Sequence, residues 1–300
     1  MNILRMSCVI AALSITLSAT PVRADTTVVV ANTWNRQVAA ISAGPDTSAR
    51  GAAITRRLDA LGIAWRSEGF VFKDKAGNNL VADLGGADTG GKSGAPLLLI
   101  GAHYDRVGKG QGATDNASGS ATVLALAEAL HTRPLKNHRV QVVFWDLEEE
   151  GLLGSRAWVE TDGRERPALY VNFDVFGWGD TLWMMAPNPD VPLVAILREQ
   201  STAAALGFSA GDKYPPTDHL AFLKADWPAV SFSLVGSTEI EPILAVFAGA
   251  KPESMPKVMQ VIHSERDTVD ELDGAHVPQA LQVLEAGLRE WDVAASAGSK

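Results

Sequence analysis

Side chains that can bind a metal ion or transfer a proton recur just after the apolar segments of this sequence. They are His103 and Asp115 after residues 97–100, Glu148 and Glu149 after residues 142–145, Asp174 after residues 168–173, and His263 in a later loop. A carboxylate at the end of a buried strand must be paired, capped or bound to a metal, because an isolated buried charge is strongly unfavourable. Imidazole nitrogens and carboxylate oxygens are the usual zinc ligands where no thiolate is available. Two zinc ions that share one bridging carboxylate would turn this set into a hydrolytic site.

Each of these residues also has an ordinary structural explanation. A histidine and an aspartate two residues apart after a strand, such as His103 and Asp105, often form a hydrogen-bonded turn. Consecutive glutamates such as residues 148–150 often begin a solvated helix, where the helix dipole favours negative charge. The metal site is the better interpretation because all of these groups are predicted to converge on one edge of a sheet.

The elements that position these residues alternate between strands and helices. Strands are predicted at residues 64–72, 97–100, 139–146, 169–174, 181–185 and 229–234, and helices at residues 46–61, 117–131, 152–160, 191–206 and 277–291. Residues 73–94 are rich in glycine, aspartate and asparagine, which predicts a hairpin and then an exposed loop. The pattern predicts a single-domain three-layer α/β sandwich with a mostly parallel central sheet and helices on both faces.

The first 24 residues predict a secretory signal peptide. A basic start, an apolar stretch and a small-residue site near Ala24 match that pattern, whereas the stretch is short for an uncleaved membrane anchor. Cleavage would leave residues 25–300 as one domain without cysteine, since Cys8 is the only cysteine of the chain. It would also change the net charge from −9 to −11, because Arg5 and Arg23 are lost. Such an acidic chain argues against nucleic acid or an anionic membrane as a partner, and export to the periplasm or the medium is expected.

Six ordered motifs carry a resemblance to a known family. They are GAHYD (residues 101–105), GATDNASG (112–119), EEEGLLGS (148–155), NFD (172–174), TDH (217–219) and HSERDT (263–268). The chain resembles the zinc-dependent aminopeptidases of peptidase family M28, including the secreted leucyl-aminopeptidase-like bacterial members. The resemblance implies two Zn²⁺ ions per chain and peptide substrates with a free N-terminus.

The resemblance also implies a role for particular residues. His103 and Asp174 resemble the terminal ligands of one zinc, Glu149 and His263 those of the other, and Asp115 the bridging carboxylate. Glu148 resembles the general base, because Gly151 and Leu152 fix the register of the three consecutive glutamates.

Further residues are implied to support the site. Asp105 resembles the carboxylate that orients a metal-bound histidine, and Tyr214 is a candidate donor to the oxyanion. Asp218 and His219 resemble a family segment beside the active site, for which a positioning element and a purely structural loop are equally good interpretations. Ile262 stands where some family members have a tyrosine, which leaves the oxyanion donor open. Trp145, Trp178 and Trp183 are candidates for lining an apolar pocket, although core packing explains them equally well.

Two other functions remain open at this point. A glutaminyl cyclase shares the fold and typically uses one zinc, and a catalytically silent relative would serve as a binding domain. The complete ligand set and the general base favour the aminopeptidase over both. Neither the preferred N-terminal residue nor the oligomeric state follows from the sequence.

Overall fold

The computed structural model of the protein describes residues 26–86 and 94–297. The predicted signal peptide, residues 1–24, lies outside the described residues, as does part of the predicted exposed loop. In the described part of the chain, no helix is long and apolar enough to cross a membrane.

Eight strands of the described chain form one mixed sheet. The strands are β1 (Trp65–Phe72), β2 (Lys75–Gly86), β3 (Leu97–His103), β4 (Arg139–Trp145), β5 (Leu169–Phe176), β6 (Thr181–Met185), β7 (Gly207–Gly211) and β8 (Ala229–Val235). Their order across the sheet is β1-β2-β4-β3-β5-β8-β6-β7. The central strands β4, β3, β5 and β8 are parallel to one another. Their carboxyl ends therefore meet at one edge of the sheet, as the sequence predicts for its metal-capable residues.

The outer strands make the sheet mixed. The hairpin β1–β2 pairs antiparallel with β4, and β6 runs antiparallel to β8. The hairpin turns at Lys73 and Asp74, both with positive φ, which is the backbone conformation that tight two-residue hairpin turns require. The predicted α/β fold with a parallel centre is confirmed.

Helices cover both faces of the sheet. They are α1 (Thr26–Ser42), α2 (Thr47–Ala60), α3 (Ser118–Thr132), α4 (Leu153–Val159), α5 (Pro192–Ala203), α6 (His219–Lys224), α7 (Ile240–Phe247), α8 (Lys257–Val261) and α9 (Val277–Ala297). Alternate residues of β3 serve the two faces, because successive side chains of a strand point in opposite directions. Leu98 and Ile100 pack in the cluster with α1, α2, α3 and α9, and Leu97 and Leu99 pack in the cluster with α4 and α6.

Several elements differ from the prediction. The sequence analysis assigns no helix to residues 26–42 and no strand or helix to residues 207–211, 219–224, 240–247 or 257–261. The last helix also continues to Ala297, beyond the predicted end at residue 291. Helices α7 and α8 matter for the site, because they form one wall of the cavity described below.

Candidate metal centre

Two groups of three metal-capable residues meet at the carboxyl edge of the sheet. The first contains His103, Asp115 and Asp174, and the second contains Asp115, Glu149 and His263, with one ligand atom of each residue within 4.8 Å of the others. Asp115 belongs to both groups. Its Oδ1 lies 3.1 Å from His103 Nε2, and its Oδ2 lies 3.2 Å from His263 Nε2.

The remaining two carboxylates complete the groups. Asp174 Oδ1 lies 3.6 Å from His103 Nε2, and Glu149 Oε2 lies 3.0 Å from His263 Nε2. All five residues that the sequence predicts as metal ligands are thus brought together, and Asp115 is shared by the two groups.

Asp115 is placed by a distorted turn at Ala113–Ala117, where the Asp115–Asn116 peptide bond is cis. The carboxylate of Asp267, from the loop that carries His263, accepts hydrogen bonds from the backbone amides of Thr114 at 2.6 Å and Asp115 at 3.2 Å. Asp267 is 2% exposed, and burial raises its pKa to about 6. A single buried carboxylate therefore ties the His263 loop to the Asp115 turn. Asp267 lies in the HSERDT motif, but the sequence alone does not predict this role for it.

The carboxylate of Asp105 contacts His103 of the first ligand group and the backbone of Glu149 of the second. One carboxylate oxygen lies 3.3 Å from His103 Nδ1 and accepts from the backbone amide of Glu148 at 3.1 Å, while the other accepts from the amide of Glu149 at 3.2 Å. An acceptor at Nδ1 fixes the ring so that Nε2 faces the centre, which is the usual support for a metal-binding histidine. Asp105 therefore lies where its predicted orienting role requires, and it also anchors the turn after β4.

Arg50 of α2 is a buried support that the sequence analysis does not identify. Its guanidinium donates to the carbonyl oxygens of Tyr104 at 2.5 Å, Gln111 at 2.9 Å and Gly112 at 3.1 Å. These carbonyls belong to the segment that joins His103 to Asp115. Burial lowers the pKa of Arg50 to about 10, against the attraction of Asp105. The side chain remains charged at neutral pH and fixes both ends of this segment.

The donor atoms of the centre fit a metal ion. Among the described residues, His103 Nε2, Glu149 Oε1 and Asp174 Oδ1 are buried and have no hydrogen-bond partner. Buried polar atoms are normally satisfied, so orphaned atoms that converge on one point need an explanation. Coordination by a divalent cation satisfies them, and a mixed imidazole and carboxylate set without thiolates suits zinc.

The electrostatics of the centre also favour positive charge. Burial alone would lower the pKa of His103, but the charge of Glu148, the contact with Asp105 and the nearby carboxylates of Asp115 and Asp174 raise it well above its ordinary value. The adjacent carboxylates of Asp115 and Glu149 raise the pKa of His263 to about 10. Although burial opposes it, the two nearby histidines hold the pKa of Asp115 below its ordinary value. A divalent cation would supply this positive charge directly.

Glu148 lies beside the two groups and belongs to neither. Burial raises its pKa well above the ordinary value, against the charge of His103 and with the help of Asp218. The neighbouring Glu150 points away from the centre, where its carboxylate pairs with Lys75 at 2.6 Å. The three glutamates thus have different environments.

A cavity of about 210 Å³ opens from the centre. Glu148, Asp174 and His263 lie at its polar end, and its apolar lining includes Val175, Trp183, Val235, Ile243, Val258 and Met259. Of the three tryptophans considered above, only Trp183 lines this cavity. Trp178 lies behind its wall and donates to Glu239 at 2.9 Å, and Trp145 packs in the core with Trp158 and Phe222.

The remaining candidate residues lie near the centre without joining it. Asp218 is fully buried, and neither of its carboxylate oxygens has a hydrogen-bond partner among the described residues. Burial raises the pKa of Asp218 to about 7 and lowers that of His219 to about 4. Tyr214 lines the cavity, and its hydroxyl contacts Ser233 of β8.

Comparison with solved structures places the fold in a known class. The structure of the LapA aminopeptidase of Legionella pneumophila matches with a TM-score of 0.66 and 18% identity, over 88% of this chain and 71% of that chain. The glutaminyl cyclase of Porphyromonas gingivalis matches with a TM-score of 0.67 and 17% identity, over 88% of this chain and 98% of that chain. At these identities the likeness concerns the fold alone, which is that of zinc aminopeptidases and related α/β enzymes.

Sequence comparison identifies the family. Residues 79–286 match the profile of peptidase family M28. The chain belongs to this family. The probable lipoprotein aminopeptidase LpqL of Mycobacterium tuberculosis is 41% identical over 106 residues, which are 34% of this chain and 20% of that protein. The match thus spans about a fifth of the length of this curated relative.

Proposed function

We propose that this protein is an exported zinc-dependent aminopeptidase with two zinc ions per chain. The observation that carries the proposal is the position of Asp115, whose two carboxylate oxygens face two different histidines. His103 and Asp174 would hold one zinc, His263 and Glu149 the other, and Asp115 both. Zinc held there would lower the pKa of a water molecule and polarise the scissile carbonyl.

Glu148 is the general base of the proposed reaction. It removes a proton from the attacking water and returns that proton to the nitrogen of the leaving amine as the C–N bond breaks. Its position on the cavity wall supports this role, and burial raises the pKa of its carboxyl group, which makes it a stronger proton acceptor. Asp105 keeps Glu148 and Glu149 in place through their backbone amides.

The cavity supports a preference for peptides with an apolar N-terminal residue. Its volume of about 210 Å³ and its aliphatic and aromatic lining suit a side chain of the leucine or phenylalanine type. The carboxylates at its polar end attract the free α-ammonium group of such a substrate. Export is proposed from the amino-terminal sequence, and peptides outside the cytoplasm are then the substrates.

Metal content and substrate range test this proposal together. Zinc is measured per chain, and hydrolysis is measured on Leu, Phe, Ala and Glu p-nitroanilides and on N-acetyl-Leu p-nitroanilide, before and after chelation. Cyclisation is measured on a peptide with an N-terminal glutamine. Two zinc ions per chain, with chelator-sensitive activity on unblocked Leu and Phe substrates only, support the aminopeptidase. One zinc ion with cyclisation of N-terminal glutamine would instead identify a glutaminyl cyclase. Absence of both metal and turnover would identify a silent binding domain.

A further inference from the structure

A bulge in β5 leaves the backbone of Asp174 outside the regular pairing of the sheet. Phe173 pairs with Phe232 and Phe176 pairs with Leu234, so two residues of β5 lie opposite the single residue Ser233 of β8. Val175, within the bulge, has a φ of 56°. Bulges of this kind re-aim a side chain, and this one directs Asp174 towards His103.

The side chain of Ser233 replaces the missing backbone pairing. Its hydroxyl donates to the carbonyl oxygen of Asp174 at 2.5 Å. Ser233 is 5% exposed, so this carbonyl is held by a buried hydrogen bond rather than by solvent. The position of Asp174 therefore depends on where the Ser233 hydroxyl points.

The direction of the next hydrogen bond follows from counting protons. A carbonyl oxygen only accepts, and a serine hydroxyl has one proton, which Ser233 gives to Asp174. In the contact between Tyr214 and Ser233, the tyrosine must therefore be the donor. Burial raises the pKa of Tyr214, against hydrogen bonding with Ser233 and Ser231, so the phenol keeps its proton at neutral pH.

The tyrosine ring is held in the orientation that this contact requires. Its centroid lies 4.5 Å from that of Trp183 and 5.8 Å from that of His219, with the latter pair edge to face. A hydroxyl on a ring fixed from two sides cannot turn away from Ser233 without loss of these contacts. Both the packing and the proton count direct the Tyr214 hydroxyl towards Ser233.

We propose that Tyr214 is a positioning residue that acts through Ser233 on the backbone of Asp174, and that it does not donate to the oxyanion. The chain of hydrogen bonds runs from the Tyr214 hydroxyl to the Ser233 hydroxyl and on to the Asp174 carbonyl. The part of this inference that concerns zinc rests on the proposed function, because it uses Asp174 as a ligand. The part that concerns the backbone does not.

A double-mutant cycle tests the proposal with Tyr214→Phe, Ser233→Ala and the double variant. The zinc dissociation constants are measured by competition with a chelator in the absence of substrate. Each single variant is expected to weaken zinc binding by about 10–100-fold, as loss of a group that supports a ligand does. The double variant is expected to bind zinc as weakly as the single variant that binds it less tightly, because both changes interrupt the same chain of hydrogen bonds. Tyr170→Phe, which removes a buried hydroxyl that donates to Asn172, is the matched control and leaves zinc binding unchanged.

The opposite results would overturn the inference. An oxyanion donor requires that Tyr214→Phe lowers kcat by about 10²–10³-fold with unchanged zinc affinity, and that the effects of the two single variants multiply. Hydrogen exchange of the segment Leu169–Phe176 in metal-free protein provides a readout that does not depend on zinc. Faster exchange in both single variants supports the positioning role even if the proposed function fails, and wild-type exchange in both refutes it.

Discussion

Removal of Asp115 and removal of Asp174 are expected to have different effects on zinc binding. Asp115 contributes an oxygen to each group of ligands, whereas Asp174 belongs to one group only. Asp115→Ala is therefore expected to lose both zinc ions, and Asp174→Ala is expected to retain the ion held by His263 and Glu149. Zinc content per chain is measured after desalting. The expected values are two zinc ions for the wild type, one for Asp174→Ala and none for Asp115→Ala.

Thermal unfolding measures how much the bound zinc ions stabilise the native state. A ligand present at 100 times its dissociation constant stabilises the native state by about 2.7 kcal/mol, so two independent zinc ions contribute about 5 kcal/mol. For a domain of this size, 1 kcal/mol corresponds to about 2–4 °C, so zinc is expected to raise the wild-type Tm by about 10–20 °C. Asp174→Ala should show about half of that shift and Asp115→Ala almost none, each compared with its own zinc-free sample.

Calorimetry in zinc-buffered solution measures these shifts, with Asp162→Ala as a control for loss of an exposed aspartate. The control is expected to retain two zinc ions and the full wild-type shift. The bridging role of Asp115 would be refuted if Asp115→Ala still bound two zinc ions, or if Asp115→Ala and Asp174→Ala gave the same stoichiometry and the same shift. Either result would mean that the two groups of ligands do not share this carboxylate.

Three further substitutions probe the base, the support of the site and the cavity. Glu148→Gln is expected to retain both zinc ions and to lose about 10²–10⁴-fold in kcat, whereas Glu150→Gln, whose carboxylate pairs with Lys75, should retain the wild-type rate in the same assay. Arg50→Met removes three hydrogen bonds worth about 1.5–3 kcal/mol each. Part of this loss of stability is offset because the variant no longer buries a charged group, an unfavourable effect that lowers the pKa of Arg50 to about 10. Denaturant unfolding should show a net loss of about 2–5 kcal/mol, against less than about 1 kcal/mol for Arg57→Met, which breaks only the partly exposed pair with Glu128. Val258→Phe narrows the apolar end of the cavity, so the ratio of kcat/KM for Leu over Ala p-nitroanilide should fall by about tenfold or more; an unchanged ratio would exclude this cavity as the binding site of the N-terminal side chain.

The central strands and the residues at their ends were predictable because burial leaves a clear local pattern. All seven residues of β3 are buried, and the sequence there is a continuous apolar run that ends on polar residues. The same holds for the runs that precede Glu148 and Asp174. Metal-capable side chains stand out at these positions, since nothing in a local structural pattern requires them.

Helix α1 could not be predicted from local sequence. Its residues include several valines and threonines, which have only modest helix propensity. The helix is stabilised by contacts with the rest of the chain instead, through the buried side chains of Trp34, Val38 and Ile41, which lie on one face. The short elements β7, α6 and α8 have five or six residues each, too few to show a helical or strand period.

The supports of the site were missed for a related reason, since each acts on backbone atoms far away in the sequence. Arg50 holds carbonyls 54 to 62 residues further along the chain, and Asp267 holds amides 152 and 153 residues before it. Any residue type has an amide and a carbonyl, so the partners of such a contact carry no signature. Asp267 lies four residues after His263 in the HSERDT motif. Its position in the same loop as a predicted ligand is the one sequence signal that could have identified it.

These backbone contacts explain how so many carboxylates can lie together around one centre. Apart from the contact of Asp105 with His103, the oxygens of Asp105 and Asp267 accept from the backbone amides of residues that carry or flank the ligands. Each hydrogen bond satisfies a buried charge and at the same time fixes a ligand. Within the described chain, Glu149 Oε1 and Asp174 Oδ1, which face the centre, are left without hydrogen-bond partners. The resulting excess of negative charge is balanced only in part by the buried Arg50, and it is this imbalance that favours divalent cations between the two histidines. Sequence patterns identify the side chains that face such a centre, whereas the contacts that hold them there depend on how distant segments meet in the fold.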